Sequence, residues 1–263
     1  EKIISSYENI VIQGDTATVA ATALSAYNLK KKIFYVEAGL RSFDLENPYP
    51  EEGYRQMVSR IADVNFCPTD LSAQNLRNEK VLGEIFVTGN TALDNLIDDK
   101  KGASYGKDIL ITLHRNENLS ILSDWVEQVD KLARTNSRYK FIYPVHPNPA
   151  IKEAVKNTKY ITKVNPLEHR EFIKILKNCS TVITDSGGVQ EEGVFLGKKI
   201  IVCRKITERP EALETGHLLL CKTPAKLPEI FERVIRNVTI DTACPYGDGN
   251  AATKINTILA RYE

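Results

Sequence analysis

The chain has 263 residues, 42% of them hydrophobic, which suits one large or two modest domains with a substantial core. Lys plus Arg number 35 against 34 for Asp plus Glu, so no broad basic field points to nucleic acid or a membrane surface, and any anion must be bound locally. The five cysteines, Cys67, Cys179, Cys203, Cys221 and Cys244, are widely spaced and mostly lie in apolar runs, a pattern of reduced buried thiols without zinc-ligand spacing. With no signal-peptide pattern and no apolar run near about 18 residues, a soluble cytoplasmic protein is expected.

Residues 1–7 read as the last turns of a helix and Asn9-Ile10-Val11-Ile12-Gln13 as a buried strand leaving it, so the chain is expected to begin inside a βα unit, with residues preceding Glu1 absent from this sequence. Apolar runs then alternate with amphipathic stretches, the signature of a parallel sheet covered by helices. Strands are predicted at 10–13, 32–36, 85–88, 109–113, 140–145, 181–184 and 199–203. Helices are predicted at 17–29, 51–62, 69–77, 91–98, 120–136, 167–178, 188–196, 223–235 and 250–262. The polar, aperiodic stretch 99–107 with Gly102 and Gly106 reads as a linker. Two α/β domains are therefore expected, at 1–98 and 108–247, with a C-terminal helix in 248–263 packing back on the first.

Open α/β sheets place ligands at strand ends, and acidic residues stand there. Asp15 follows strand 10–13, Glu37 closes strand 32–36, and Pro50-Glu51-Glu52 opens a helix with Pro where its missing N–H costs nothing. Asp15 reads either as a helix N-cap or as a functional acid, and Glu51 and Glu52 either as first-turn carboxylates favouring the dipole or as functional acids. Glu37 needs a partner after an apolar strand, and Arg41 is a candidate. Three carboxylates on one rim would repel one another, which suits proton transfer at carbon.

His114 and His146 end strands 109–113 and 140–145, on the rim where Ser186 also falls, whereas His169 and His217 read as structural. Thr184-Asp185-Ser186-Gly187-Gly188 joins a β-branched run to a helix, the build of a phosphate cradle. Glu191 and Glu192 lie in that helix's first turns, where a carboxylate can accept hydrogen bonds from a sugar diol, and Arg209 offers a planar fork to a diphosphate. Phe172 reads as core or as cover for a planar base.

Gln13-Gly14-Asp15-Thr16, Val36-Glu37-Ala38-Gly39-Leu40-Arg41, Pro50-Glu51-Glu52, Thr88-Gly89-Asn90-Thr91, His114-Arg115, Pro144-Val145-His146, Thr184 to Glu192, Glu208-Arg209-Pro210-Glu211 and Pro245-Tyr246-Gly247-Asp248-Gly249 resemble, in order, the non-hydrolysing UDP-N-acetylglucosamine 2-epimerases. The resemblance implies two Rossmann-like domains of the B-type glycosyltransferase fold, the first truncated at its N-terminus, since the family's opening Gly-Thr-Arg-Pro-Glu turn has no counterpart here. It implies interconversion of UDP-N-acetylglucosamine and UDP-N-acetylmannosamine without metal or nicotinamide, by a homodimer supplying ManNAc for surface polysaccharide. By the same resemblance Asp15, Glu37, Glu51 and His114 match catalytic positions, and Ser186, Gly187, Gly188 and Arg209 hold the diphosphate. Glu192 takes the ribose, Phe172 lies near the uracil, and His146 matches a residue associated with a second, activating UDP-sugar. Gln13 stands where many members have His, and Leu113-His114-Arg115-Asn116-Glu117 replaces Gly-His-Arg-Arg-Glu. These departures keep open a 2-epimerase of another UDP-2-acetamido sugar; a hydrolysing relative is a second alternative, and a UDP-binding fragment without activity a third, since half of the first domain's sheet is expected to be lacking.

Overall fold

The computed structural model describes residues 2–240 and 242–262; Glu1, Asp241 and Glu263 lie outside the described residues. The chain divides into two compact units: unit 1 runs to Asn95 and takes in the chain again from Tyr246, and unit 2 is Leu96–Pro245. In unit 1 four parallel strands lie in sequential order, β1 (Asn9–Gln13), β2 (Lys32–Val36), β3 (Val64–Cys67) and β4 (Glu84–Val87). Helices α1 (Ala17–Asn28), α2 (Glu51–Ile61) and α3 (Asp70–Asn78) make the crossovers. The pleat of β2 sorts the layers: Ile33 and Tyr35 pack with Ala20, Ala23, Val58 and Leu76 from the helices, while Phe34 and Val36 face the other way. Strand β3 escapes the sequence reading because it is four residues long, directly follows α2 and carries a polar Asn65 in its buried run. Residues 1–7, read as a helix end, contain a single 3-10 turn at Ile4–Ser6 among those described.

Unit 2 opens with α4 (Ile97–Lys100), preceded by a 3-10 stretch at Thr91–Leu96 where one helix over 91–98 was expected. Its strands and helices follow as β5 (Asp108–Thr112), α5 (Leu122–Thr135), β6 (Lys140–Pro144), α6 (Pro149–Val155), β7 (Thr162–Val164), α7 (His169–Asn178), β8 (Thr181–Thr184), α8 (Gly187–Phe195), β9 (Lys199–Val202), α9 (Glu211–Glu214), β10 (Leu218–Leu220) and α10 (Leu227–Arg236). All six strands are parallel in the order β7-β6-β5-β8-β9-β10, so the winding reverses between β5 and β8. The short elements β7, β10, α6 and α9 were not predicted: three to seven residues hold too little periodicity to register. The stretch read as a linker is built into this unit. Ser104 and Gly106 donate their backbone N–H groups to Lys177 and Asn178, buried Lys198 donates to the Ser104 carbonyl, and Lys177 pairs with Asp99 at 2.7 Å. Backbone bonds of this kind leave no trace in composition.

The chain then returns to unit 1. The Asn90 N–H donates to the Tyr246 carbonyl at 2.9 Å, and a Cβ on Gly247 would stand 3.0 Å from the Cα of Gly89, so both glycines serve the crossing. Helix α11 (Ala251–Leu259) has its first N–H groups, those of Ala251 and Ala252, taken by the Asp94 carboxylate. Ile255 and Ile258 cover Phe34, Val36, Val64 and Phe66, completing the second face of the four-stranded sheet. Among the described residues no helix is long and apolar enough to cross a membrane, and no group of His, Cys, Asp or Glu could hold a metal ion. The cysteines are free thiols; burial pushes Cys67 and Cys179 up to about 12 and Cys221 to about 11.

Candidate active site

The carboxyl ends of β1 and β2 carry the first group of acids. The N-cap of α1 is Thr16, whose Oγ1 accepts from Val19 N at 3.3 Å, so Asp15 is not the cap. Asp15 instead takes two nitrogens of Arg55, Nε at 2.8 Å and Nη2 at 2.5 Å. Glu37 sits in the left-handed backbone region at φ 68°, uncommon for a residue with a Cβ, and its Oε2 lies 3.9 Å from the Cβ position of Gly14. Asp15 and Glu37 thus flank one turn. The Tyr35 hydroxyl feels both, its proton held far above the usual phenol range by burial first, then by Asp15, against the opposing pull of Arg55 and with a smaller push from Glu37.

Arg41 does not serve Glu37 in the way expected. Its Nε and Nη2 take both oxygens of Glu79 at 2.7 and 2.9 Å, Nη2 also reaches Ser59, and Nη1 reaches the Leu40 carbonyl. Nor do the rim carboxylates simply face one another, because Arg55 brings a cation among them. Glu51 and Glu52 part company: Glu52 is fully buried and accepts from the backbone of Ser42 and Phe43 and from Gln56, while Glu51 opens α2 half-buried, its Oε2 shielded without a hydrogen-bond partner.

In unit 2 the reversal of winding sets the second group. His114 follows β5 and Ser186 follows β8, so the two flank the crevice where the strand order switches. Asp185, fully buried, accepts the backbone N–H groups of His114 and Arg115 at 3.0 Å and the Asn118 amide at 2.9 Å, tying the two strand ends together. The His114 ring stacks on that of His146 with centroids 5.6 Å apart. Burial holds His114 below the usual imidazole range, Asp185 pulls the other way, and Arg115 and His146 add to the lowering.

Ser186 is the N-cap of α8 and its side chain makes no capping bond, leaving the hydroxyl unused by the helix. A Cβ on Gly187 would meet Arg209 at 2.7 Å, whereas one on Gly188 would meet nothing within 4 Å. Arg209 therefore lies against the start of α8. Its fork is not turned to solvent: Nε is held by Glu191 at 2.6 Å and Nη1 by Glu208, and Arg204 links Glu208 to Glu117. Glu192 is bonded by His169 at 2.8 Å, so His169, read from sequence as structural, stands beside a predicted ribose ligand. His217, also read as structural, is buried with its Nε2 engaged by Thr242. Phe172 is half-buried on α7, outside the fully buried pair Ile173 and Leu176. The sequence reading missed Arg55, Asn118, Arg204 and His169, each defined by a partner distant in the chain; only Arg55, one turn after Glu51, carried a local hint.

A family model described as UDP-N-acetylglucosamine 2-epimerase matches residues 4–260. A UDP-N-acetylglucosamine 2-epimerase of Campylobacter jejuni is 39% identical over 96% of the chain, which spans 74% of that relative's length. The crystal structure of the UDP-GlcNAc 2-epimerase from Neisseria meningitidis bound to UDP-GlcNAc superposes with a TM-score of 0.91 at 29% identity, covering 99% of this chain and 78% of that one. That of Methanocaldococcus jannaschii in complex with UDP-GlcNAc and UDP gives 0.85 at 32% identity, again over 99% of this chain and 78% of that one. The two Rossmann-like α/β units are those of the B-type glycosyltransferase build, and the chain belongs to the UDP-N-acetylglucosamine 2-epimerase family.

Proposed function

We propose that the protein interconverts UDP-N-acetylglucosamine and UDP-N-acetylmannosamine by eliminating UDP and adding it back. The observation that carries this reading is the pairing of His114 with the Ser186-Gly187-Gly188 turn across the switch point of unit 2, in a chain of this family. The amide groups at the start of α8, the Ser186 hydroxyl and Arg209 bind the diphosphate, and His114 stabilises it as it leaves. Because Arg209 is already matched by Glu191 and Glu208, the helix amides carry much of the attraction and the carboxylates hold the guanidinium in place. Glu192 accepts from the ribose hydroxyls and Phe172 lies against the uracil; His146, stacked on His114, is the contact for a second UDP-sugar.

In the forward step a carboxylate removes the C2 proton, that electron pair forms the C1–C2 double bond, and the C1–O bond breaks to release UDP. In the return step UDP attacks C1 and a second carboxylate delivers a proton to the opposite face of C2. The sequence is redox-neutral, so it needs no hydride acceptor. Asp15 and Glu51 are the proton-transfer pair and Glu37 is the third acid beside Asp15.

Turnover in deuterated water tests the reading: the product should carry deuterium at C2, because the proton delivered there comes from the second carboxylate, whose own proton has exchanged with solvent. Asp15→Asn and Glu51→Gln should each lower kcat by at least about 100-fold with UDP affinity nearly unchanged. A product that retains its C2 hydrogen overturns the scheme. A second substrate, another UDP-2-acetamido sugar, is favoured by one feature: Gln13 ends β1 and bonds Thr91 at 3.1 Å, where many family members carry His. Parallel assays with both UDP-sugars separate the two.

A further inference from the structure

Helix α2 turns Glu52, Arg55 and Ser59 inward together with Val58, so most of its buried face is polar or charged. Burying an arginine and a glutamate is poor value for stability alone, since aliphatic side chains of similar size hold a core as well or better. The bonds they make run in one direction. The backbone N–H groups of Ser42 and Phe43 hold Glu52, Glu52 Oε2 holds Arg55 Nη1 at 3.4 Å, and Arg55, 4% exposed, grips Asp15 through Nε and Nη2.

The neighbouring candidates for that task do not perform it. The Tyr35 hydroxyl, buried beside the pair, makes no hydrogen bond among the described residues, and Arg41 is committed to Glu79. Among the described residues Arg55 alone bonds the Asp15 carboxylate. Both nitrogens of the planar guanidinium close on one oxygen, Asp15 Oδ2, which fixes where that oxygen stands in the plane of the fork, as one point charge does not.

We propose that Arg55 is a positioning residue for the epimerisation, setting through its two-nitrogen grip on Asp15 the direction in which that carboxylate meets C2 of the sugar. The proposal rests on the function assigned above. It extends it by making α2 and the loop before it, through Glu52, the frame that aims Asp15. A carboxylate misaimed by about 1 Å loses on the order of 100-fold in rate, while binding of the remote uridine diphosphate is untouched.

The test compares wild type, R55K, R55A, D15N and the double variant D15N/R55K, each checked for folding by circular dichroism. Lysine keeps the charge and loses the fork, so R55K should lower kcat by on the order of 100-fold with KM little changed. Added guanidinium ion should restore part of the rate of R55A and none of that of D15N. If Arg55 acts through Asp15, D15N/R55K is no slower than D15N alone. Wild-type rates in R55K, or losses that multiply in the double variant, overturn the proposal while the epimerase reading stands. Failure of both R55K and R55A to fold also overturns it, by making Arg55 a strut. A wild-type protein that places no deuterium at C2 removes the epimerase reading itself, and the role of Arg55 with it.

Discussion

Glu51 and Glu52 are adjacent in the chain and differ in surroundings, because the first turn of α2 leaves Glu51 half-buried with Oε2 shielded and unbonded and sets Glu52 into the bonds that fix residues 42 and 43. A similar asymmetry governs the histidines of unit 2. Burial keeps His114 below the ordinary imidazole range in spite of Asp185, and burial lowers His217 as well. The unfolded chain therefore takes up these protons at a higher pH than the folded protein does. The associated stability is present in full above about pH 6.5, the unperturbed imidazole value, and is lost as pH falls toward the folded values. Urea denaturation at about pH 7.5 and about pH 5.5 should show wild type losing more stability over this interval than His114→Asn. Part of the slope should persist in that variant because His217 contributes with the same sign.

Helix α8 opens on two glycines whose surroundings differ. Gly187 is buried under Arg209; a methyl there meets a guanidinium that Glu191 and Glu208 hold fast, so Gly187→Ala should lower both stability and UDP affinity. Gly188 is exposed and its Cβ position is open. Gly188→Ala should leave stability unchanged or raise it by about 0.4–1 kcal/mol, yet weaken UDP, because the methyl occupies the space through which the backbone approaches the diphosphate. Thermal melts together with titration calorimetry distinguish the two glycines. Undiminished UDP affinity in Gly188→Ala would remove the diphosphate from this turn.

At the scale of the molecule, each unit has its own sheet and core, and the chain passes between them at residues 95–96 and 245–246. Ligand binding to one folded unit reduces its local opening. Hydrogen exchange on the intact protein with and without UDP should therefore slow at residues 113–118 and 184–192, the two segments that Asp185 ties together. No slowing at 184–192 under saturating UDP would place the nucleotide elsewhere.

What the sequence by itself determined is what short stretches of chain decide: β-branched runs become strands, Ser186-Gly187-Gly188 turns into a helix, and the order of motifs marks the family. Seven strands were legible in this way, within one residue at most of their ends. Only the tertiary structure decided the rest, because it depends on partners far away in the chain. Whether Asp15 caps a helix or meets an arginine turned on Thr16 taking the cap and α2 delivering Arg55 from 40 residues on. Arg41 was a candidate partner for Glu37, the near acid, but Glu79, 38 residues away, fills its fork with both oxygens. The stretch 99–107 looked like a linker because its attachment runs through backbone groups and Lys198, 94 residues distant from Ser104. Strand β3 was invisible because Asn65 breaks the apolar pattern, and it is a strand because β2 and β4 pair with both its edges. Local chemistry selects what an element is; which charge an acid faces is settled by what the fold brings across to it.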